Sequence, residues 1–248
     1  MTYAFLRWLM RVMVHSVLFG IFTRVGRERV PPSGPLLVCA NHISTLDPPL
    51  IPAFLPRNDS WSMAKAEYFE GGALKTWIFT AFHAFPVVRH SADRAAIRRA
   101  TGILRDGHVL FLYPEGTRVT SGGLHRPEPG AGFIAMLSGA PVLPVAVSGS
   151  REVFGKGFRL PRRAPLRLEF GEPFRIAARR PDGRRVDHQD AADAILLAVA
   201  ELLPEELRGE FSDLSAWRKR VGELRQPLEL SSSEAGPSRP RSGHRGRG

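Results

Sequence analysis

The sequence predicts an α/β fold: a single domain with a mostly parallel mixed sheet flanked by helices, preceded by an N-terminal amphipathic membrane-associating helix. Two observations predict this class. Short apolar runs alternate with stretches of helical periodicity, as in sheets covered by helices on both faces. The chain has 248 residues, of which 43% are apolar, enough for one domain with a full core.

Residues 1–29 are predicted to form the amphipathic membrane-associating segment. Arg7, Arg11 and His15 are spaced by four residues and therefore share one helical face. The longest stretch without arginine, Val12 to Phe22, is too short to span a bilayer. We therefore expect the arginine face to meet lipid headgroups and the apolar face to enter the interface. A secretory signal peptide is disfavoured because Arg11 interrupts the apolar region, whereas a helix that docks on the domain remains an alternative.

Residues 30–225 are predicted to form the main domain. Apolar runs predict strands over residues 35–40, 60–64, 85–88, 109–113, 140–147 and 166–170, and periodicity predicts helices over 93–104, 131–138 and 191–203. The Ser, Gly, Pro and Arg composition near the end cannot build a core, so 226–248 is predicted to be a disordered basic tail.

The formal net charge is +11, from 35 Lys and Arg against 24 Asp and Glu. Such a surface attracts anionic partners, namely nucleic acid, phospholipid headgroups or phosphorylated substrates. The sequence has no nucleic-acid-reading motif, so a nucleic-acid partner is not expected. Cys39 is the only cysteine and lies in an apolar run, which predicts a small core residue and excludes an intramolecular disulfide.

A histidine and an acid follow the first predicted strand of the domain, in the run Asn41-His42-Ile43-Ser44-Thr45-Leu46-Asp47. An imidazole can take a proton near neutral pH if its second ring nitrogen is held by an acceptor. Asp47 could be that acceptor, with a substrate hydroxyl in the place of a catalytic serine. The alternative is that His42 and Asp47 only cap the following helix.

A second polar run follows another apolar strand, Tyr113-Pro114-Glu115-Gly116-Thr117-Arg118. Gly116 permits close backbone approach to a ligand. Glu115 can accept from hydroxyls, and Arg118 offers a donor fork suited to phosphate.

These runs resemble the motifs of the glycerolipid acyltransferase family, which includes 1-acylglycerol-3-phosphate acyltransferases. The first motif, Asn-His-x4-Asp, is complete at Asn41, His42 and Asp47, and the third is matched by 113–118. The second resembles Phe85-Pro86-Val87-Val88-Arg89, and the fourth resembles Val142-Leu143-Pro144-Val145-Ala146-Val147. The resemblance extends from about Val30 to Glu172.

The resemblance implies an acyltransferase that moves a fatty acyl group from acyl-CoA or acyl-ACP to the free hydroxyl of a lysophospholipid, by default 1-acyl-sn-glycerol-3-phosphate, giving phosphatidic acid. It implies that His42 is the general base and that Asp47 orients it. Arg89, Glu115, Gly116, Thr117 and Arg118 would hold the acceptor, and no metal or cofactor is expected. The enzyme would be peripheral or monotopic at the cytoplasmic face of the cell membrane, on anionic lipids, with acyl carrier protein as a candidate partner.

One position departs from the family pattern. Glu128 stands near the place where many relatives have a lysine, and Arg126 is a candidate to replace it. Two alternative functions remain open: transfer to another lipid alcohol, and a non-catalytic lipid-binding membrane protein.

Overall fold

A nine-stranded sheet is the centre of the computed structural model, which describes residues 2–88, 93–120, 122–154 and 162–228. The strands are β1 (Phe22–Val25), β2 (Leu36–Ala40), β3 (Ser60–Lys65), β4 (Ala84–Val87), β5 (Val109–Leu112), β6 (Val142–Ser148), β7 (Leu166–Phe170), β8 (Phe174–Ile176) and β9 (Arg225–Pro227). The helices are α1 (Thr2–Val17), α2 (Asp47–Phe54), α3 (Ala73–Ala81), α4 (Arg94–Arg105), α5 (Gly130–Ser138), α6 (Ser150–Val153), α7 (His188–Ala200) and α8 (Leu214–Val221).

The strand order is β1-β7-β6-β2-β5-β3-β4, with β8 and β9 added beside β6. Neighbouring strands from β6 to β4 are parallel, whereas β7 and β8 are antiparallel to β6. This arrangement confirms the predicted mostly parallel mixed sheet. The carboxyl ends of the five parallel strands lie at one edge, called here the catalytic edge.

Helices cover both faces of the sheet, as the apolar strands predicted. On one face, Leu36, Val38 and Ala40 of β2 pack with α1, α2 and α6. On the other face, Leu37 and Cys39 pack with α4, α5 and α7. Cys39 is fully buried, which confirms the predicted core residue, and this burial raises the pKa of its thiol.

The N-terminal helix α1 is present, but the orientation predicted for its arginines is wrong. Arg7 is only 2% exposed and donates to the Leu55 carbonyl at 2.5 Å and to the Asn58 side chain. Arg11 donates to the Ala53 carbonyl at 2.5 Å. The last carbonyls of a helix have no partner within it, so the C-terminus of α2 offers acceptors to these guanidinium groups. The arginine face of α1 therefore packs on the domain.

The apolar face of α1 faces solvent. The exposed large side chains on α1 and just after it are Phe5, Trp8, Leu9, Val12 and Phe19. Among the described residues, no helix is both long and apolar enough to cross a membrane.

Several element boundaries differ from the sequence prediction. Strand β1 lies inside the segment 1–29, so the sheet begins before residue 30. Helix α7 begins at His188 because the Asp187 side chain caps it, accepting from Gln189 N–H at 2.6 Å. Strand β9 extends to Pro227, within the predicted tail, and residues 229–248 lie outside the described residues.

Candidate active site

The two polar runs found in the sequence meet at the catalytic edge. Strands β2 and β5 are parallel neighbours, with Cys39 opposite Leu112, so the segments that follow them leave the sheet side by side. Strand β6 flanks β2 on its other side, with Ala40 opposite Val145. Loops after three adjacent strands therefore converge beside His42.

His42 and Asp47 form a hydrogen-bonded pair. The Nδ1 of His42 lies 3.0 Å from Oδ2 of Asp47, whose side chain is fully buried. The His42 side chain is 15% exposed, and no described residue hydrogen-bonds to its Nε2. An imidazole that donates from Nδ1 to a carboxylate keeps Nε2 as an acceptor, so the pair can take a proton from a hydroxyl that reaches the edge.

The Asp47 carboxylate is held by three further donors. Its Oδ2 accepts from the backbone N–H groups of Ile43 at 2.8 Å and Ser44 at 2.7 Å, and its Oδ1 accepts from Ser150 Oγ at 2.6 Å. These donors precede α2 or come from α6, and Leu46 makes no side-chain cap to α2. The Asp47 carboxylate therefore faces His42 and the loop before α2, and its orienting role stays a prediction.

Asn41 joins the exit of β2 to the end of β6. Its side-chain amide donates to the Val147 carbonyl and accepts from the Val147 N–H, both at 2.8 Å. This paired contact continues the β2–β6 ladder by one side chain. It fixes the point at which the chain turns toward His42.

Tyr113 stacks on the imidazole. The ring centroids of His42 and Tyr113 are 4.0 Å apart with planes inclined by 15°, and Phe111 meets Tyr113 edge-on. The Tyr113 hydroxyl is buried and has no hydrogen-bond partner among the described residues. Burial, with the charge of Asp47, raises the pKa of this phenol, so it stays neutral.

Glu115 connects the two motif loops. It is 5% exposed, and its two carboxylate oxygens accept from the backbone N–H groups of His42 at 3.3 Å and His125 at 3.0 Å. Burial raises the pKa of the Glu115 carboxyl to about 7, although the two N–H donors act in the opposite direction. The sequence prediction considered Glu115 only as an acceptor for substrate hydroxyls and missed this contact with the loop that carries His42.

The rest of the third motif opens toward solvent. Gly116 has φ +67°, a left-handed conformation that glycine adopts without strain. Thr117 and Arg118 are exposed, and Arg118 makes no ion pair with any residue that the structure describes. Arg89, the remaining predicted substrate residue, lies outside the described residues.

Arg126, the candidate substitute for the family lysine, pairs with a buried carboxylate on α7. Its Nη2 lies 3.0 Å from Oδ2 of the fully buried Asp193, which fastens the 123–130 loop to α7. Gln189 adds a hydrogen bond to the Pro127 carbonyl at 2.9 Å. The Glu128 N–H donates to the Pro114 carbonyl at 2.9 Å, which holds this loop against the third motif.

Comparison with known proteins identifies the family. The family model described as Acyltransferase matches residues 22–148, which is just over half of the chain. The chain belongs to the acyltransferase family.

Similar proteins carry related names. The acyltransferase is 27% identical over 155 residues to a 1-acyl-sn-glycerol-3-phosphate acyltransferase of Bacillus subtilis, a match covering 61% of this chain and 72% of that protein. It is 27% identical over 153 residues to 1-acyl-sn-glycerol-3-phosphate acyltransferase alpha of Homo sapiens, covering 60% and 54%. The chain thus spans only about half of the human relative.

A solved structure shares the fold. The crystal structure of the 1-acyl-sn-glycerophosphate (LPA) acyltransferase PlsC from Thermotoga maritima superposes with a TM-score of 0.62 and 25% sequence identity. The match covers 81% of this chain and 79% of that one. The α/β architecture of this acyltransferase is therefore that of the PlsC-like proteins.

Proposed function

We propose that this acyltransferase moves a fatty acyl group from an acyl thioester, acyl-CoA or acyl carrier protein, to the free hydroxyl of 1-acyl-sn-glycerol-3-phosphate. The product would be phosphatidic acid. The observation that carries the proposal is the His42–Asp47 pair at the catalytic edge, with Nε2 unoccupied by any described residue. The names of the B. subtilis, human and T. maritima relatives support this acceptor.

His42 acts as the general base. Its Nε2 takes the proton of the acceptor hydroxyl while that oxygen attacks the carbonyl carbon of the thioester. Asp47 stabilises the imidazolium that forms. The tetrahedral intermediate then expels the thiolate, which recovers the proton from His42, so the base is regenerated. This scheme requires neither a metal ion nor a cofactor besides the thioester co-substrate.

We assign binding of the acceptor's phosphate group to arginine side chains. Arg118 projects from the loop beside His42 and has no ion-pair partner among the described residues, so its fork is available for bidentate phosphate contacts. Arg89 is proposed as a second phosphate ligand from the family motif. Gly116 and Thr117 would place backbone near the glycerol, and Glu115 would hold the loop through its contact with His42 N–H.

We also propose that the enzyme is peripheral at the cytoplasmic face of the cell membrane. The apolar face of α1, including Phe5, Trp8 and Leu9, is exposed and large enough to enter a lipid interface. Leu74 and Trp77 on α3 are exposed as well. A surface of this kind on one helix-covered face matches a substrate that resides in the bilayer, and the net charge of +11 favours anionic lipids.

The test is thiol release from palmitoyl-CoA and from palmitoyl-loaded carrier protein, with and without 1-acyl-sn-glycerol-3-phosphate. We expect acceptor-dependent release that falls about a thousandfold in His42→Ala, since general base catalysis contributes that much. The matched control is His188→Ala, an exposed histidine on α7, which should retain wild-type rates.

Each other outcome has a definite meaning. Near-wild-type turnover by His42→Ala would exclude it as the base. Thiol release that depends on another lysophospholipid, and not on 1-acyl-sn-glycerol-3-phosphate, would show that the acceptor is another lipid alcohol. No release with either donor and a panel of lyso-lipids, combined with retained lipid binding, would favour a non-catalytic lipid-binding protein.

A further inference from the structure

Helix α4 carries a line of arginines on its outer surface. Arg94, Arg98 and Arg105 are separated by four and seven residues, so at 3.6 residues per turn they lie within about 40° of one another. All three are exposed, and they lie opposite the buried Ala96, Ala100 and Ile103. We call these three residues the arginine stripe; it spans about 16 Å along the helix axis.

Two acidic residues flank the stripe, Asp93 at the N-terminus of α4 and Asp106 at its C-terminus, so three arginines against two carboxylates leave a net positive charge. None of its three guanidinium groups forms an ion pair within 4.0 Å of a described carboxylate, although Asp93 lies close enough to Arg98 for a weaker Coulomb interaction. Arg180, by contrast, pairs with both Asp190 and Glu223 at 2.8 Å. The stripe is therefore a surface whose positive charge is available to a partner.

The stripe begins beside the catalytic edge. Chain order places the N-terminus of α4 after the carboxyl end of β4 and its C-terminus before β5, so Arg94 and Arg98 lie nearer that edge than Arg105 does. Strand β4 is three positions from β2 in the sheet, about 14 Å at the usual strand spacing. A partner bound to the stripe would thus sit close enough to deliver a group on a flexible arm to His42.

The stripe faces away from the surface proposed to meet the bilayer. Helix α4 packs on the face of the sheet formed by Leu37 and Cys39, whereas α1 packs on the opposite face. A membrane against the exposed apolar side chains of α1 would leave α4 in water. The chemistry of the stripe therefore fits a soluble anionic partner better than lipid headgroups.

We propose that the arginine stripe is the docking surface for an acidic carrier protein that presents the acyl group as a thioester. This inference rests on the proposed function and selects one donor class for it. Long-range attraction between the stripe and acidic side chains would steer the carrier, and its thioester arm would extend around the N-terminus of α4 to the catalytic edge.

The test compares two donors on one enzyme. In the triple variant Arg94→Glu, Arg98→Glu, Arg105→Glu, we expect the KM for palmitoyl-loaded acyl carrier protein to rise at least about tenfold, because like charges now oppose docking. The kinetic constants for palmitoyl-CoA should stay within about twofold, since a small donor does not need the surface. Replacing the same arginines by Gln should give an intermediate loss and keeps the test valid if the Glu variant folds poorly.

A charge-matched control separates docking from net charge. The variant Arg179→Glu, Arg184→Glu, Arg185→Glu changes the same number of exposed arginines in the segment before α7, and it should leave both donors unaffected. Fluorescence anisotropy of labelled carrier protein provides a readout without turnover: the stripe variant should lose binding, and wild-type binding should weaken as salt rises.

Four results would overturn the proposal. They are an equal loss with both donors, no loss with the carrier protein, a similar loss in the control variant, and a wild-type enzyme that uses palmitoyl-CoA but not the carrier protein. In the last case the proposed function still stands. Absence of turnover with both donors and all lyso-lipids would instead reject the proposed function, and this inference with it.

Discussion

At the scale of single residues, His42 is held from several sides. Asp47 fixes its Nδ1 edge, the Glu115 carboxylate accepts from its N–H, and Tyr113 covers one ring face at 4.0 Å. A π face against the ring limits rotation about the side-chain bonds, and in the proposed mechanism it would stabilise the imidazolium that forms during proton transfer. Under the proposed function, Tyr113 is a positioning residue that acts through the His42 ring and not on the substrate.

This role predicts different effects for two substitutions of Tyr113. Tyr113→Leu should lower kcat about tenfold, because imidazolium stabilisation by a ring contributes on the order of 1–2 kcal/mol, while KM for the acceptor is nearly unchanged. Tyr113→Phe keeps the ring and removes a buried hydroxyl without a partner, so activity should be retained and the melting temperature should not fall. Equal loss in both variants would assign the effect to the hydroxyl and contradict a stacking role.

The sequence predicted some of these contacts and not others, for a physical reason. His42 and Asp47 lie five residues apart, within one loop, so their pairing is visible in local spacing. Ser150 reaches Asp47 across 103 residues, and Val147 pairs with Asn41 across 106. Such contacts depend on β6 lying beside β2, which no local pattern encodes.

At the scale of elements, α1 shows that an amphipathic pattern predicts a helix and its two faces but not which face packs on the domain. Periodicity predicted the helix and its two faces, but the arginine face packs inward, because Arg7 and Arg11 find acceptors at the end of α2. Val14 and Leu18 belong to the same core. Deleting residues 1–23 would therefore remove core side chains and part of β1, and it would not isolate membrane binding.

Point substitutions on the exposed apolar face of α1 test membrane binding without removing core side chains. The double variant Phe5→Ser, Trp8→Ser should reduce cosedimentation with anionic vesicles at least about tenfold, because burying two large apolar side chains is worth several kcal/mol. Leu137→Ser is the matched control, since Leu137 is 57% exposed but lies on α5, on the opposite face of the sheet. Unchanged binding in the double variant would exclude α1 as the anchor.

At the scale of the whole molecule, strand order decides which helices share a face. Strand β2 leads through α2 to β3, and β3 leads through α3 to β4, both moving the same way along the parallel sheet. Right-handed crossovers then place α2 and α3 on one face, and the return from β4 to β5 places α4 on the other.

Alternating apolar runs predicted the parallel core, but short strands such as β1, β8 and β9 were missed, since their stability comes from distant neighbours.

This two-sided arrangement predicts which tryptophans meet lipid. In variants that keep a single tryptophan, with Phe at the other three positions, vesicles of brominated lipid should quench Trp8 on α1 and Trp77 on α3. Trp217 on α8, which stacks on Phe211 and packs with the α7 core, should not be quenched. Quenching of Trp217 to the same extent would contradict a single membrane face. It would also place lipid on the α4 side, where the arginine stripe would then meet headgroups instead of a soluble carrier.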